Sequence, residues 1–354
     1  MKRAKILVIY TGGTFGMSEN LEIPALSSRQ LKERLETAVP EMKQIARCRV
    51  KVLFNTDSCQ MGLSHWFKMA GLIRRNARDF QGVVILHGTD TLAYTGAALS
   101  YLLSGIRIPV VLTGAQKPLS ALRNDARTNF LTALEVAARA PKALKGRVLV
   151  AFHDEVYLAS RIRKLSAVRF GAFESPRFPI LARVGSTIRY ENVIHHLPAL
   201  KKSTLHAAGA IPAKSPKILK VEVTPGFPGQ VFTRELLGSV DGILLTLFTS
   251  GTAPTQSPSF MRFLENAKKA ATPVFAITER GDAPVALSSY SAGKELLRAG
   301  VLWCHDLTPE AAFVKAGLLH LRERELGGKS REQHHAWLKK AWPRPLSDEM
   351  GVRD

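Results

Sequence analysis

The stretch Lys5-Ile6-Leu7-Val8-Ile9-Tyr10-Thr11-Gly12-Gly13-Thr14 decides the fold. Its first six residues form a continuous apolar run bounded by charge, the mark of a strand buried on both faces. The run stops at a paired-glycine turn. Working outward, Gly82-Val83-Val84-Ile85-Leu86 repeats the design and stops at His87-Gly88-Thr89-Asp90-Thr91, with helical composition after it at Ala97 to Leu103. Ile108 to Leu112 stops at Thr113-Gly114-Ala115-Gln116, and a fourth run spans Arg147 to Phe152. Helix-like stretches, Ser64 to Arg78 and Arg127 to Ala140, lie between them. Buried strands alternating with helices predict an α/β domain with a largely parallel sheet flanked by helices. In such sheets, function sits in the loops at the carboxyl ends of the strands.

The pattern fades after Gly185 and resumes near Ile218. Strands are predicted at Ile218 to Val223, Gly242 to Phe248 and Pro273 to Thr278, with helices near Thr233 to Gly238, Ser259 to Ala270, Ser291 to Ala299 and Pro309 to Glu325. The expected organisation is a larger amino-terminal domain over 1–185, a Pro- and Lys-rich linker over 186–217, and a smaller carboxyl-terminal α/β domain over 218–354. The tail from Gly327 is charged and carries His334-His335, Trp337 and Trp342.

Composition limits the function classes. The 354 residues are 45% hydrophobic and 22% charged, enough to bury a large core. No apolar run approaches the ~20 residues of a membrane span, and the run after the basic amino terminus is too short for a signal peptide. Cys48, Cys59 and Cys304 are scattered and odd in number, which argues against a disulfide framework or a structural zinc site. A cytoplasmic protein is expected. Fifty Lys+Arg against 29 Asp+Glu leave a net charge of +21, which points to a nucleic acid or another polyanion as a partner.

Two turns carry candidate chemistry. In Thr11-Gly12-Gly13-Thr14, glycines allow close backbone approach, their N–H groups can converge on an oxyanion, and the threonines offer an alcohol nucleophile. The turn is neither a Walker A loop nor a GxGxxG fingerprint, and an ordinary Gly-rich turn reads equally well. In His87-Gly88-Thr89-Asp90-Thr91, Asp90 could serve as a base or anchor an ammonium. The same residues suit a helix N-cap.

Together, TGGT and HGTDT resemble the bacterial-type L-asparaginase family, closest to the cytoplasmic type I enzymes. Further matches run in order. Thr56-Asp57-Ser58-Cys59-Gln60-Met61 is similar to the family's substrate loop, Thr113 to Pro118 to its TGSQ-x-P turn, and Arg123-Asn124-Asp125 to its Arg-Ser-Asp. Tyr157 to Pro176 resembles the type I segment with Ala-Phe-x-Ser-Pro. The resemblance implies hydrolysis of L-asparagine to L-aspartate and ammonia, with weaker glutaminase activity. Thr14 would be the nucleophile, and Thr89, Asp90 and Lys164 would form a second catalytic cluster. Asp90 would grip the substrate's α-ammonium and Ser58 its α-carboxylate. Asp57, Gly88 and Cys59 complete the expected substrate-binding set with Thr89. No cofactor or metal is implied, and the family's sites are completed across subunits, so a homodimer or homotetramer is expected.

Departures accompany the matches. The family's loop tyrosine after TGGT has no counterpart, because no tyrosine occurs between Tyr10 and Tyr94; Glu19 or Glu22 stands in its place. Thr249 to Pro254 replaces a Gly-x-Gly-Asn segment, and Thr278-Glu279-Arg280-Gly281 replaces the Thr-Gln-Cys of allosteric members. Cys59 is expected to be a small buried thiol, and His195-His196 and His334-His335 surface residues. Two other classes use the charge. One is the asparaginase-like, ammonia-supplying subunit of a tRNA-dependent amidotransferase, against which the early position of TGGT counts. The other is a degenerate homologue with a basic nucleic-acid-binding surface, against which counts the absence of any RNA-binding motif.

Overall fold

A computed structural model describes residues 3–17, 25–200, 212–278, 287, 291–325 and 330–351. The chain divides into two compact units, one comprising residues 1–211 with Leu346–Asp348, the other 212–345 with Glu349–Asp354. The segment from 186 to 200 contributes a strand and a helical turn to the first unit.

The first unit contains β1 (Ala4–Tyr10), β2 (Ala46–Val52), β3 (Gly82–Leu86), β4 (Val110–Thr113), β5 (Val148–Phe152), β6 (Glu155–Leu158), β7 (Arg163–Lys164), β8 (Phe173–Glu174), β9 (Ala182–Val184) and β10 (Ile188–Tyr190). Its helices are α1 (Ser28–Ala38), α2 (Met42–Ile45), α3 (Leu63–Asn76), α4 (Leu92–Leu102) and α5 (Ala126–Arg139). Eight strands form one sheet in the order β10-β9-β6-β5-β4-β3-β1-β2, while β7 and β8 pair separately. From β2 to β5 every pairing is parallel; β6, β9 and β10 extend the sheet antiparallel. The central parallel strands, β1 from Ile6 with β3, β4 and β5, are buried along their length, whereas edge strand β2 alternates buried and exposed residues. The antiparallel end alternates apolar and polar residues in short segments, and, with edge strand β2, it is the part that the sequence pattern does not reveal.

The strand order reverses between β1 and β3, which are both hydrogen-bonded neighbours although β2 lies between them in sequence. Loops leaving such a reversal diverge to opposite sides and open a crevice at the carboxyl ends of the strands. Helix α4 leaves this point almost entirely buried, matching its apolar composition on every side. Gly96 in α4 is required by packing, since a Cβ there would lie 2.9 Å from the Ala159 Cβ. Helix α1 is fixed at its start by a reciprocal cap: Gln30 N donates to Ser27 Oγ, and Ser27 N donates to Gln30 Oε1.

The second unit contains a parallel sheet in the order β11-β12-β13-β14, formed by Ile218–Glu222, Gly242–Leu247, Val274–Thr278 and Leu302–Trp303. With it go α6 (Arg234–Gly238), α7 (Pro258–Lys269), α8 (Ser291–Arg298), α9 (Pro309–Glu325) and α10 (Arg331–Ala341). Phe227, Phe232, Phe260 and Phe263 pack ring against ring in its core. Helix α10 was not expected from the charged tail. It buries His334 and Leu338, one turn apart on one face, so His334 is not the surface residue expected; its Nε2 lies 2.7 Å from His320 Nδ1. Exposed His195 and His196 do lie at the surface. The linker residues 201–211, the loop 18–24 with Glu19 and Glu22, and Glu279-Arg280-Gly281 lie outside the described residues.

Candidate active site

Four loops meet at the carboxyl end of the sheet, and glycine lets them approach. Gly12 has φ +108° and Gly13 φ +82°, both in the region open to glycine. A Cβ on Gly12 would lie 2.0 Å from the Thr56 carbonyl oxygen, and one on Gly13 would lie 2.4 Å from the Gly88 Cα. Gly88 presses against Ser58, and Gly114 against the His87 carbonyl. The turns after β1, β2, β3 and β4 therefore touch at backbone level. Thr14 and Thr89, each the next residue along, flank the Gly13–Gly88 contact.

Thr14 opens a single 3₁₀ turn, Thr14–Gly16, and is partly exposed. Phe15 anchors this turn by burying its ring edge-on against Phe130 at 6.1 Å. Lys164, on β7, aims its ammonium at the turn after β3: Nζ donates to Thr89 Oγ1 at 2.6 Å and to Asp90 Oδ1 at 2.7 Å. The Lys164 side chain is 16% exposed and that of Asp90 66% exposed, so the pair runs from the interior to the surface. Thr89 is buried, and its hydroxyl donates to Gln116 Oε1 at 3.3 Å. Gln116 is oriented by its own Nε2, which donates to the Ser166 and Arg169 carbonyls at 3.2 Å each.

The turn after β2 carries the remaining candidates. Asp57 accepts a hydrogen bond from Cys59 N at 3.0 Å, closing a 3₁₀ turn over Ser58–Gln60. The turn points Ser58 inward, 2% exposed, and leaves Asp57, Cys59 and Gln60 outward. Cys59 is thus exposed, not the buried thiol expected from a small apolar side chain. Thr91 Oγ1 donates to the Ser58 carbonyl at 2.7 Å and joins the two turns.

His87 holds Gly88 from beneath and escaped the sequence reading. Its Nδ1 lies 2.7 Å from the Gly88 carbonyl oxygen, which can only accept, so Nδ1 carries the proton. Its Nε2 accepts from the Thr95 hydroxyl at 3.0 Å, and Thr95 Oγ1 accepts from Trp66 Nε1 at 3.0 Å. Full burial pushes the imidazole pKa down to about 4, against a smaller opposing effect of the Gly88 carbonyl, so the ring is neutral. Asp125 has a similar supporting role. Its carboxylate accepts from the backbone N–H groups of Gln116 and Lys117 and from Asn129 Nδ2. The signal for both was present, as a histidine inside HGTDT and an aspartate after a Gly-rich turn, but their partners are distant in sequence.

Comparison with known proteins settles the family. Residues 5–195 match the family described as Asparaginase, N-terminal, and residues 217–326 match the Glutaminase/Asparaginase C-terminal domain. The chain belongs to the asparaginase family. It is similar to L-asparaginase 1 of Escherichia coli (strain K12), 35% identical over 330 residues that cover 91% of this chain and 94% of that protein. The crystal structure of L-asparaginase I from Vibrio cholerae matches with a TM-score of 0.79 at 31% identity, over 99% of this chain and 100% of that one. The glutamyl-tRNA(Gln) amidotransferase of Pyrococcus abyssi has one component that is 30% identical, over 88% of this chain and 70% of its own length. Family membership makes the chain an amidohydrolase by class. Among the described residues no helix is long and apolar enough to cross a membrane.

Proposed function

We propose that the chain is an L-asparaginase that hydrolyses L-asparagine through a threonyl ester. The observation that carries this reading is the Lys164 ammonium bridging Thr89 Oγ1 and Asp90 Oδ1, at 2.6 and 2.7 Å, beside the Gly13–Gly88 contact that brings in Thr14. In the first step Thr14 Oγ bonds to the side-chain amide carbon. The C–N bond breaks, the threonine proton reaches the leaving nitrogen, and ammonia departs. In the second step water adds to the ester carbon, the ester C–O bond breaks, and a proton returns to Thr14. The Thr89–Lys164–Asp90 cluster relays the proton from Thr14 to the leaving nitrogen in the first step and from water to Thr14 in the second. Backbone N–H groups of the glycine turn face the oxygen on which charge develops.

The substrate is a small zwitterion, and the meeting turns offer both poles a partner. The Asp90 carboxylate is exposed there to take the α-ammonium, and the inward Ser58 takes the α-carboxylate, with Asp57, Cys59 and Gly88 lining the grip through their backbones. Glutamine, longer by one methylene, is a weaker substrate. The reading requires neither metal nor organic cofactor. Its setting is the cytoplasm, supported by three free cysteines, and its assembly a homodimer or homotetramer, checked by light scattering.

Ammonia release measured over a wide asparagine range tests the activity, with Thr14→Ala expected to abolish it. A second reading, supply of ammonia for conversion of Glu-tRNA to Gln-tRNA, has support in the Pyrococcus abyssi relative. Release of free ammonia from asparagine in the absence of tRNA favours the first reading over the second.

A further inference from the structure

Edge strand β2 divides its side chains between two surroundings. Ala46, Cys48, Val50 and Val52 pack toward the core, while Arg47, Arg49 and Lys51 are exposed on the other face. Alternate residues on a strand stand roughly 6.6 Å apart, so these cations form an evenly spaced row. At the amino-terminal end of the sheet the row runs into a groove of about 1410 Å³. Arg3, Lys5, Arg47, Arg49, Arg78 and Arg139 converge on this groove from four segments of the first unit, and Asp79 is the carboxylate among them. Arg139 is partly neutralised by Glu135 at 2.9 Å, and Arg3 donates to the Lys43 carbonyl. Among the described residues, Lys5, Arg47, Arg49 and Arg78 have no carboxylate within ion-pair distance.

We propose that this groove binds a phosphate chain, either the backbone of a single-stranded RNA or free inorganic polyphosphate, at a site separate from Thr14. Cations gathered without counter-charges repel one another, and a polyanion relieves that repulsion while releasing its own counterions. Five of the six are arginines, whose planar forks match phosphate oxygens. A row of charges along a strand suits a linear polyanion better than a single small anion. The aromatic residue of the lining, Phe80, is buried, so bases have no platform to stack on and binding follows the backbone without sequence preference. Charge on an edge strand also prevents edge-to-edge pairing, which accounts for Arg47, Arg49 and Lys51 but not for Arg3, Arg78 and Arg139 on other segments. Strand β1 has seven residues, so the groove at its start and Thr14 beyond its end are roughly 20 Å apart.

The test is fluorescence anisotropy of the full chain with a labelled 30-nucleotide single-stranded RNA and, separately, with polyphosphate as competitor, at several salt concentrations. The variant is Arg47→Glu with Arg49→Glu. The control is Arg234→Glu with Arg262→Glu, which removes the same charge from exposed positions of the second unit. The groove variant is expected to weaken RNA binding at least tenfold at 0.15 M salt and to lower the slope of log K against log salt by about 1.4, with the control unchanged. Ammonia release should be the same in all three proteins, which also reports that they are folded. Competition by polyphosphate assigns the ligand to phosphate chains in general, and its absence assigns it to RNA. The proposal is overturned if neither ligand binds at 0.15 M salt, if the control weakens binding as much as the groove variant, or if polyglutamate of equal charge competes as well as the phosphate chains.

Discussion

At the scale of single residues, Lys164 and His87 show how position converts ordinary side chains into parts of a site. Lys164 alone reads as a solvated lysine; its 2.6 and 2.7 Å contacts to Thr89 and Asp90 are what the proposed proton relay rests on. Lys164→Met should lower kcat by about 10²- to 10⁴-fold while the protein remains folded, as measured by ammonia release beside circular dichroism. His87 makes a different prediction, about stability. Its pKa is about 4 in the folded chain against 6.5 ordinarily, so between these values the unfolded chain binds a proton that the folded chain refuses. The stability that this group contributes is complete above pH 6.5 and lost as pH falls toward 4, a span worth about 3 kcal/mol. Urea denaturation at pH 7 and pH 4.5 should show a smaller pH-dependent loss in His87→Gln than in the unaltered chain. An equal loss in both would remove His87 from the account.

Among the elements, the turns after β1, β3 and β4 were readable as the place of chemistry, because these three buried apolar runs end in Gly/Thr-rich turns. Strand periodicity also located the parallel strands other than β2, and most helices, to within a few residues. What it did not give was the contact between turns. Gly12 and Gly13 look like flexible punctuation in sequence, yet each faces the backbone of another loop, Thr56 and Gly88 respectively, at a distance that forbids a Cβ. Gly12→Ala would place a side chain 2.0 Å from the Thr56 oxygen at a φ of +108°, shifting the turn that carries Thr14. A loss of about 10²-fold or more in kcat/KM is expected, since misplacement of about 1 Å has that effect. Gly238→Ala, which meets nothing within 4 Å, should leave the kinetics unchanged. The antiparallel strands and α10 were illegible for a related reason. Short, half-polar segments acquire their structure from neighbours far along the chain, and no local period marks them.

For the whole molecule, the carboxyl-terminal residues matter beyond their length. Asp348 joins the first unit, where its carboxylate lies 3.0 Å from Arg147 Nε in a buried pair, and its carbonyl accepts from Arg161 Nε at 2.6 Å. Breaking a buried pair leaves an uncompensated charge, so Asp348→Ala should destabilise the first unit by about 3–5 kcal/mol in denaturant titration. The net charge of +21 is independent of the proposed reaction, because asparagine carries no net charge to steer; the basic groove gives part of that charge a location. No tyrosine occurs between Tyr10 and Tyr94, so the proposed turnover rests on Thr14 with the Thr89–Lys164–Asp90 cluster. Steady-state ammonia release from L-asparagine by the unaltered chain, Thr14→Ala and Lys164→Met tests this most directly. The account predicts turnover by the unaltered chain, none from Thr14→Ala, and a residue of activity at most from Lys164→Met. Absence of ammonia from the unaltered chain at any asparagine concentration, or undiminished release by Thr14→Ala, would contradict it.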